Sequence, residues 1–129
     1  MDKKFYITTP IYYPSARPHM GHAYSSIIAD FFARFKNIDG YEVHFLTGTD
    51  EHGLKIQRSA EKQNIEPLEF CNQISKTFRD LSKTLNLTNT DFIRTTEERH
   101  KKTVRHLWKE LEKNDDIYLS KYSGWYSIS

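Results

Sequence analysis

The pentapeptide Pro18-His19-Met20-Gly21-His22 stands between a strand-like run and a helix-like run, and that position narrows the fold sharply. Upstream, Lys4–Thr9 is aromatic and β-branched and is stopped by Pro10, the pattern of a short strand. Downstream, Tyr24, Ile27, Ile28, Phe31, Phe32 and Phe35 recur at helical spacing, the apolar stripe of a helix lying on a core. The two histidines therefore fall where a first strand has ended and a first helix begins. In an α/β sheet that place is the carboxyl edge, where ligands bind. A helix start offers unpaired N–H groups and a positive dipole end to an anion. Gly21 lets a ligand come close to the backbone. Taken alone, two histidines near a helix start equally suit a surface pair or a stray metal site. The strand before them and the helix after them favour a ligand site.

The first helix, Gly21–Asn37, is expected to end near the Asp39-Gly40 turn signal. Glu42–Thr47 reads as a second strand, so the run is a βαβ unit with parallel strands and a right-handed crossover. The loop Thr9–Pro18 carries Pro10, Pro14 and Pro18, which deny it helix and stiffen it around Tyr12 and Tyr13. Thr47-Gly48-Thr49-Asp50-Glu51-His52-Gly53 follows the second strand, again at a carboxyl edge. An Asp50 carboxylate facing the first loop suits an ammonium group through a charge-assisted hydrogen bond. Asp50-Glu51 equally suits the capping of the next helix. The residues alone leave both open.

Lys55–Gln63 is expected to be a short helix, and Glu66-Pro67 to start a longer one with proline at a favourable first position. Cys71, Ile74, Phe78, Leu81 and Leu85 lie on one apolar face, which makes Cys71 a core residue and not a nucleophile. Phe92-Ile93-Arg94 reads as a short strand. Thr96 is the expected N-cap of a further helix, with Glu97 and Glu98 suiting its dipole. Val104, Leu107, Trp108 and Leu111 form that helix's expected buried stripe, with Lys101, Lys102, Arg105, Lys109 and Lys113 mostly off it. Such a basic face is ordinarily solvated; the alternative is that it lies near RNA. Ile117-Tyr118-Leu119 and Gly124–Ile128 read as the two strands of a hairpin.

Composition excludes several classes. The 129 residues suit one domain, and 14% aromatic residues allow a sizeable core. A net charge of +2 does not by itself argue for nucleic acid. One cysteine permits no internal disulfide. No apolar run approaches the ~20 residues of a membrane span, and Met1-Asp2-Lys3-Lys4 leads into the strand without a signal-peptide core. The expectation is a cytoplasmic protein with no membrane partner.

Thr8-Thr9-Pro10-Ile11-Tyr12-Tyr13, followed by Pro18-His19-Met20-Gly21-His22-Ala23-Tyr24, resembles the first signature of the class I aminoacyl-tRNA synthetases, in the form found in methionyl-tRNA synthetases. Phe45–Gly53 is similar to that family's second hallmark block, and Asp91–His100 to a third. The three blocks span most of the chain. The resemblance implies a Rossmann-like parallel sheet with flanking helices, the first half of a synthetase catalytic domain. It places the catalytic-domain part at residues 1–116 and the start of a connective insertion at 117–129. It also implies a larger enzyme that continues into a second, K-M-S-K-S-type signature and an anticodon-binding domain.

For activity, the resemblance implies ATP-dependent activation of methionine to methionyl-adenylate and its transfer to tRNA(Met). His19 and His22 would act on the phosphates as donors, with ATP bound by His19, Gly21 and His22. Ile11, Tyr13 and Asp50 would bind methionine, Asp50 through the α-amino group, and His52 would support the loop. Magnesium would accompany ATP. The segment Tyr126-Ser127-Ile128-Ser129 has serine where zinc-binding relatives begin with cysteine, so the zinc-free form is expected. Alternatives are a leucyl, isoleucyl or cysteinyl synthetase, which the Thr47–Gly53 block disfavours, and a small H-x-G-H nucleotidyltransferase, which the tyrosine-proline loop disfavours. A further alternative is a fragment that binds nucleotide without catalysis.

Overall fold

The structure is a computed structural model, and it describes residues 3–125. Its elements in chain order are β1 (Lys4–Thr8), α1 (Met20–Ile38), β2 (Glu42–Thr49), α2 (Leu54–Lys62), α3 (Pro67–Thr84), β3 (Asp91–Arg94) and α4 (Glu98–Lys113). The chain forms two compact units, divided between Glu97 and Glu98.

The first unit is a three-stranded sheet in the order β1-β2-β3. Both pairings are parallel, with Lys4 opposite Glu42 and Leu46 opposite Asp91. Helices joining successive parallel strands make this the expected Rossmann-like arrangement. α1 packs on β1 and β2, while α2 and α3 pack on each other and α3 reaches β2. Pro67 occupies the first turn of α3, where its missing N–H breaks no bond. Cys71 is buried in a cluster with Ile56, Ala60 and Phe70. Burial is the main cause that pushes its thiol pKa up to about 11, as an inert core cysteine requires.

α1 lies on the sheet through a different face from the one its sequence advertises. Its buried residues are Ser26, Ala29, Asp30 and Ala33. Ala29 and Ala33 pack against Phe45, which is fully buried, with Ile7 and Val43 alongside. Burying a phenylalanine completely contributes about 2–3 kcal/mol, and the small alanines let the helix come close enough to achieve it. The large stripe is outside: Tyr24 is 67%, Phe31 65% and Phe35 54% exposed. Asp30 fixes this orientation. Its carboxylate accepts from the Thr88 N–H and hydroxyl, both at 2.6 Å, and from Arg34 Nε at 2.6 Å. Arg34 in turn donates to the Asn86 carbonyl. Burial alone would raise the Asp30 pKa, but these bonds outweigh it and hold the carboxyl below its usual range.

In the second unit, α4 is the only regular element among the described residues. The expected burial of its apolar stripe does not occur: Val104, Leu107 and Trp108 are exposed. Its own unit offers no second element for that stripe to pack against. Ile117–Leu119 is not a strand, and Tyr118 and Leu119 stand in solvent, because an isolated run has no neighbour to complete its hydrogen bonds. The other expected hairpin strand falls largely on residues 126–128, outside the described residues. Among the described residues no helix is long and apolar enough to cross a membrane.

Candidate active site

β1 ends at Thr8, and the proline-rich loop then runs on alongside the carboxyl end of β2. The Tyr12 N–H donates to the Gly48 carbonyl and the Asp50 N–H to the Tyr12 carbonyl, each at 2.8 Å. This short parallel bridge lays Tyr12 beside Thr49 and brings the first loop against the second motif. The buried hydroxyls of Thr9 and Thr47 lie 2.7 Å apart and hold the base of the crossing.

Tyr12 is the pillar of the crevice. Its ring stacks on Phe78 at 5.5 Å and meets His22 edge-on at 4.9 Å. Its hydroxyl reaches the His22 carbonyl at 3.2 Å and the Ser26 hydroxyl at 2.7 Å, tying the loop to the first turns of α1. Sequence reasoning expected Tyr12 to be held in place; its role as the brace between motifs depends on a serine that no motif marks.

His19 is the N-cap of α1, with extended backbone. Its Nδ1 accepts the Gly21 N–H at 3.0 Å, while His22 Nδ1 accepts the His19 N–H at 3.1 Å. The pair thus forms a capping box built from imidazoles. A nitrogen that accepts a hydrogen bond carries no proton, so both rings hold their proton on Nε2 as a donor. Burial, and then the nearby His19, hold the His22 pKa below its ordinary value. The first turn of α1 contains no acidic residue, so no side chain of that turn neutralises its dipole. A Cβ on Gly21 would lie 2.9 Å from the His19 ring, so the cap needs glycine at that position.

Across the crevice, the Tyr13 hydroxyl donates to the His52 carbonyl at 2.5 Å. Burial, with the Asp50 charge second, raises the Tyr13 pKa. Gly53 has φ +106°, and a Cβ there would sit 2.5 Å from the Tyr13 hydroxyl. Ile11, on the same loop as Tyr13, is 40% exposed. The structure therefore gathers Tyr13 and Asp50 on one side and His19, Gly21 and His22 at the head of α1, with Tyr12 between. Helix capping, the alternative role for Asp50-Glu51, is not what these residues do: Gly53 is the N-cap of α2 and no side chain caps it.

Glu51 has a different place. Its side chain is fully buried. Oε1 accepts Arg94 Nε at 2.7 Å and the Thr49 hydroxyl at 2.8 Å, and Oε2 accepts the Thr96 hydroxyl. Thr96, the expected cap of the last helix, is thus drawn to Glu51 instead, and the helix begins at Glu98. Burial by itself would raise the Glu51 pKa, yet these bonds win and keep it below the usual carboxylate range. The Arg94 pKa is raised, chiefly by its hydrogen bond to Glu51. In the second unit, Lys102, Arg105 and Lys109 line an open concavity of about 580 Å³ on α4.

The family described as "tRNA synthetases class I (M)" matches residues 5–129. The chain is 53% identical over 126 residues to a mitochondrial methionine–tRNA ligase of Takifugu rubripes, covering 98% of this chain and 21% of that protein. It is 52% identical over 127 residues to the methionine–tRNA ligase of Bacillus subtilis, covering 98% and 19%. The crystal structure of Mycobacterium tuberculosis methionyl-tRNA synthetase bound by methionyl-adenylate superposes with a TM-score of 0.93 at 45% identity, covering 98% of this chain and 25% of that one. The chain spans about a fifth of the length of the curated relatives it matches.

Proposed function

The chain belongs to the class I tRNA synthetases of the methionyl type, and from that premise we propose that the crevice between its first loop and the Thr47–Gly53 turn is part of the methionine-activating site of a methionine–tRNA ligase. The observation that carries the reading is the pairing of two unlike halves. One is a dipole-bearing helix start with two outward imidazole donors. The other, joined to it by Tyr12, carries Asp50, whose backbone N–H is bonded to the tyrosine loop. An amino acid and a nucleoside triphosphate present the complementary charges.

In this reading a carboxylate oxygen of methionine attacks the α-phosphorus of ATP. An acyl–phosphate bond forms, and the bond to pyrophosphate breaks. Negative charge shifts over the phosphate oxygens. His19 and His22 donate Nε2–H to them, aided by the N–H groups at the start of α1 near Gly21. Neither ring needs to take or give a proton. Asp50 accepts hydrogen bonds from the methionine ammonium, and Ile11 and Tyr13 flank its side chain. Magnesium enters with the nucleotide as part of the substrate, and tRNA(Met) accepts the methionyl group.

The exposed stripe of α1 and the unpaired edge of β1 support placing this chain within a larger catalytic domain. A soluble monomer rarely leaves so large an apolar surface uncovered. A doubly wound sheet extends from its first strand in the opposite direction, which puts the second half against both features. Residues 1–116 then belong to the catalytic domain and 117–129 open the connective insertion.

The test is ATP–pyrophosphate exchange in the full-length protein. Methionine should support exchange, and leucine, isoleucine and cysteine should not. The 129-residue chain alone should bind nucleotide weakly and support none. Exchange with another of these amino acids in place of methionine would overturn the assignment.

A further inference from the structure

The sequence block from Asp91 to His100 takes no part in the chemistry above, yet three of its residues, Arg94, Thr95 and Thr96, converge on Glu51. Every polar group of Glu51 is engaged. Its carboxylate holds Arg94, Thr49 and Thr96. Its N–H donates to the Thr95 hydroxyl at 2.8 Å, and its carbonyl lies 3.8 Å from the Cys71 sulfur. Arg94 Nη2 continues to the Asn72 side-chain carbonyl at 2.7 Å. The hub thus joins the end of β2, the turn after β3 and the side of α3.

The residues on either side of Glu51 are tied through their backbone to the first loop. Asp50 precedes it, pinned by its N–H to Tyr12. His52 follows it; one ring nitrogen lies 3.2 Å from the Thr95 carbonyl, and its own carbonyl holds the Tyr13 hydroxyl. Turning the Glu51 peptide would therefore move Asp50 and Tyr13 together. A buried ion pair is weak evidence for stability, since apolar residues of like volume often serve as well. What apolar residues lack is direction: they do not orient a turn by five separate hydrogen bonds. Full satisfaction of a buried network gives one geometry.

We propose that Glu51 and Arg94 are positioning residues for amino-acid recognition: their buried pair, locked by Thr49, Thr95 and Thr96, sets the Asp50–Gly53 turn so that the Asp50 carboxylate and the Tyr13 hydroxyl meet the substrate in one arrangement. The inference rests on the methionine reading of the crevice and adds a determinant to it. The head of α1 is held by the histidine cap through its own backbone bonds, so damage to the hub should fall chiefly on the methionine side.

The experiment is steady-state ATP–pyrophosphate exchange in the full-length protein, with methionine and ATP varied in turn. Glu51→Gln keeps the shape and removes the charge. It should raise the KM for methionine tenfold or more and leave the KM for ATP within twofold. Thr96→Val removes a single bond from the hub; it should change the methionine KM in the same direction by about threefold, and it decides the matter where Glu51→Gln does not fold. Arg94→Lys, which keeps the charge, should recover part of the methionine affinity lost in Arg94→Met. A KM for methionine that stays at the wild-type value, or an equal rise in both KM values, would overturn the inference and leave the pair as scaffold. Absence of methionine-dependent exchange in the wild type would instead overturn the functional reading and this inference with it.

Discussion

The rings of His19 and His22 lie 3.9 Å apart between centroids, each with Nδ1 occupied by a backbone N–H of the same helix start. The same two side chains thereby terminate α1 and aim their Nε2 donors away from it. Substitution at either position removes a cap and a donor together, and the experiments need to separate them.

His19→Asn does so. Asparagine caps a helix well, so the fold should be kept, while the Nε2 donor is lost. Adenylate formation in the full-length enzyme should slow by about 2–4 kcal/mol in the barrier, with little loss of ATP affinity. Rapid-quench kinetics at saturating ATP measures this. Near-normal adenylate formation would remove His19 from the phosphate site.

His22 gives the start of α1 a pH dependence. Its folded pKa lies below the ordinary 6.5, held there by burial and then by His19. As pH falls below 6.5 the unfolded chain takes up its proton first, so stability drops through the window down to the folded value and is fully present above it. His22→Gln has no such proton. Urea midpoints at about pH 7.5 and about pH 5.5 bracket the ordinary histidine range. Wild type should lose more stability than His22→Gln between them; parallel losses would contradict the assigned cap.

Phe31 tests the uncovered face of α1. It is 65% exposed. In the 129-residue chain Phe31→Ala should change stability by no more than about 0.5 kcal/mol, the usual limit for a surface site. In the full-length protein, where the proposed second half covers it, the same change should cost about 3–5 kcal/mol. Denaturation curves of the two pairs check the contrast, and a small effect in both would leave the stripe uncovered.

The exposed stripe also shows where sequence reading stopped. β1, α1, β2, α3 and β3 were legible because strand and helix periods and proline stops are local. Which face of α1 meets the sheet was not, because Ser26, Ala29, Asp30 and Ala33 recur at the same helical spacing as the aromatics. The larger residues drew the reading, while close packing on Phe45 selected the smaller ones. Asp30 carried the only hint, since its partner Thr88 lies 58 residues away. In sequence Thr96 resembles a cap because glutamates follow it; a carboxylate 45 residues earlier in the chain claims it instead. Glu51 itself was indistinguishable from a surface acid until β3 came to lie beside β2. The histidine pair, Tyr13 and Asp50 were singled out by motif, and the structure supplied the Tyr12 brace that relates them.

The central claim is that this crevice binds methionine with Asp50 on its ammonium group. Asp50→Asn preserves shape and removes charge, and α2, the helix that follows it, does not depend on Asp50 for a cap. Calorimetric titration of methionine and of its analogue lacking the amino group, into wild-type and Asp50→Asn full-length protein, gives four affinities. The lost charge-assisted bond should weaken methionine binding to the variant by about 1.5–3 kcal/mol. The deaminated analogue should bind both proteins equally. Equal methionine affinity in the two proteins would contradict the account and move the ammonium site away from Asp50.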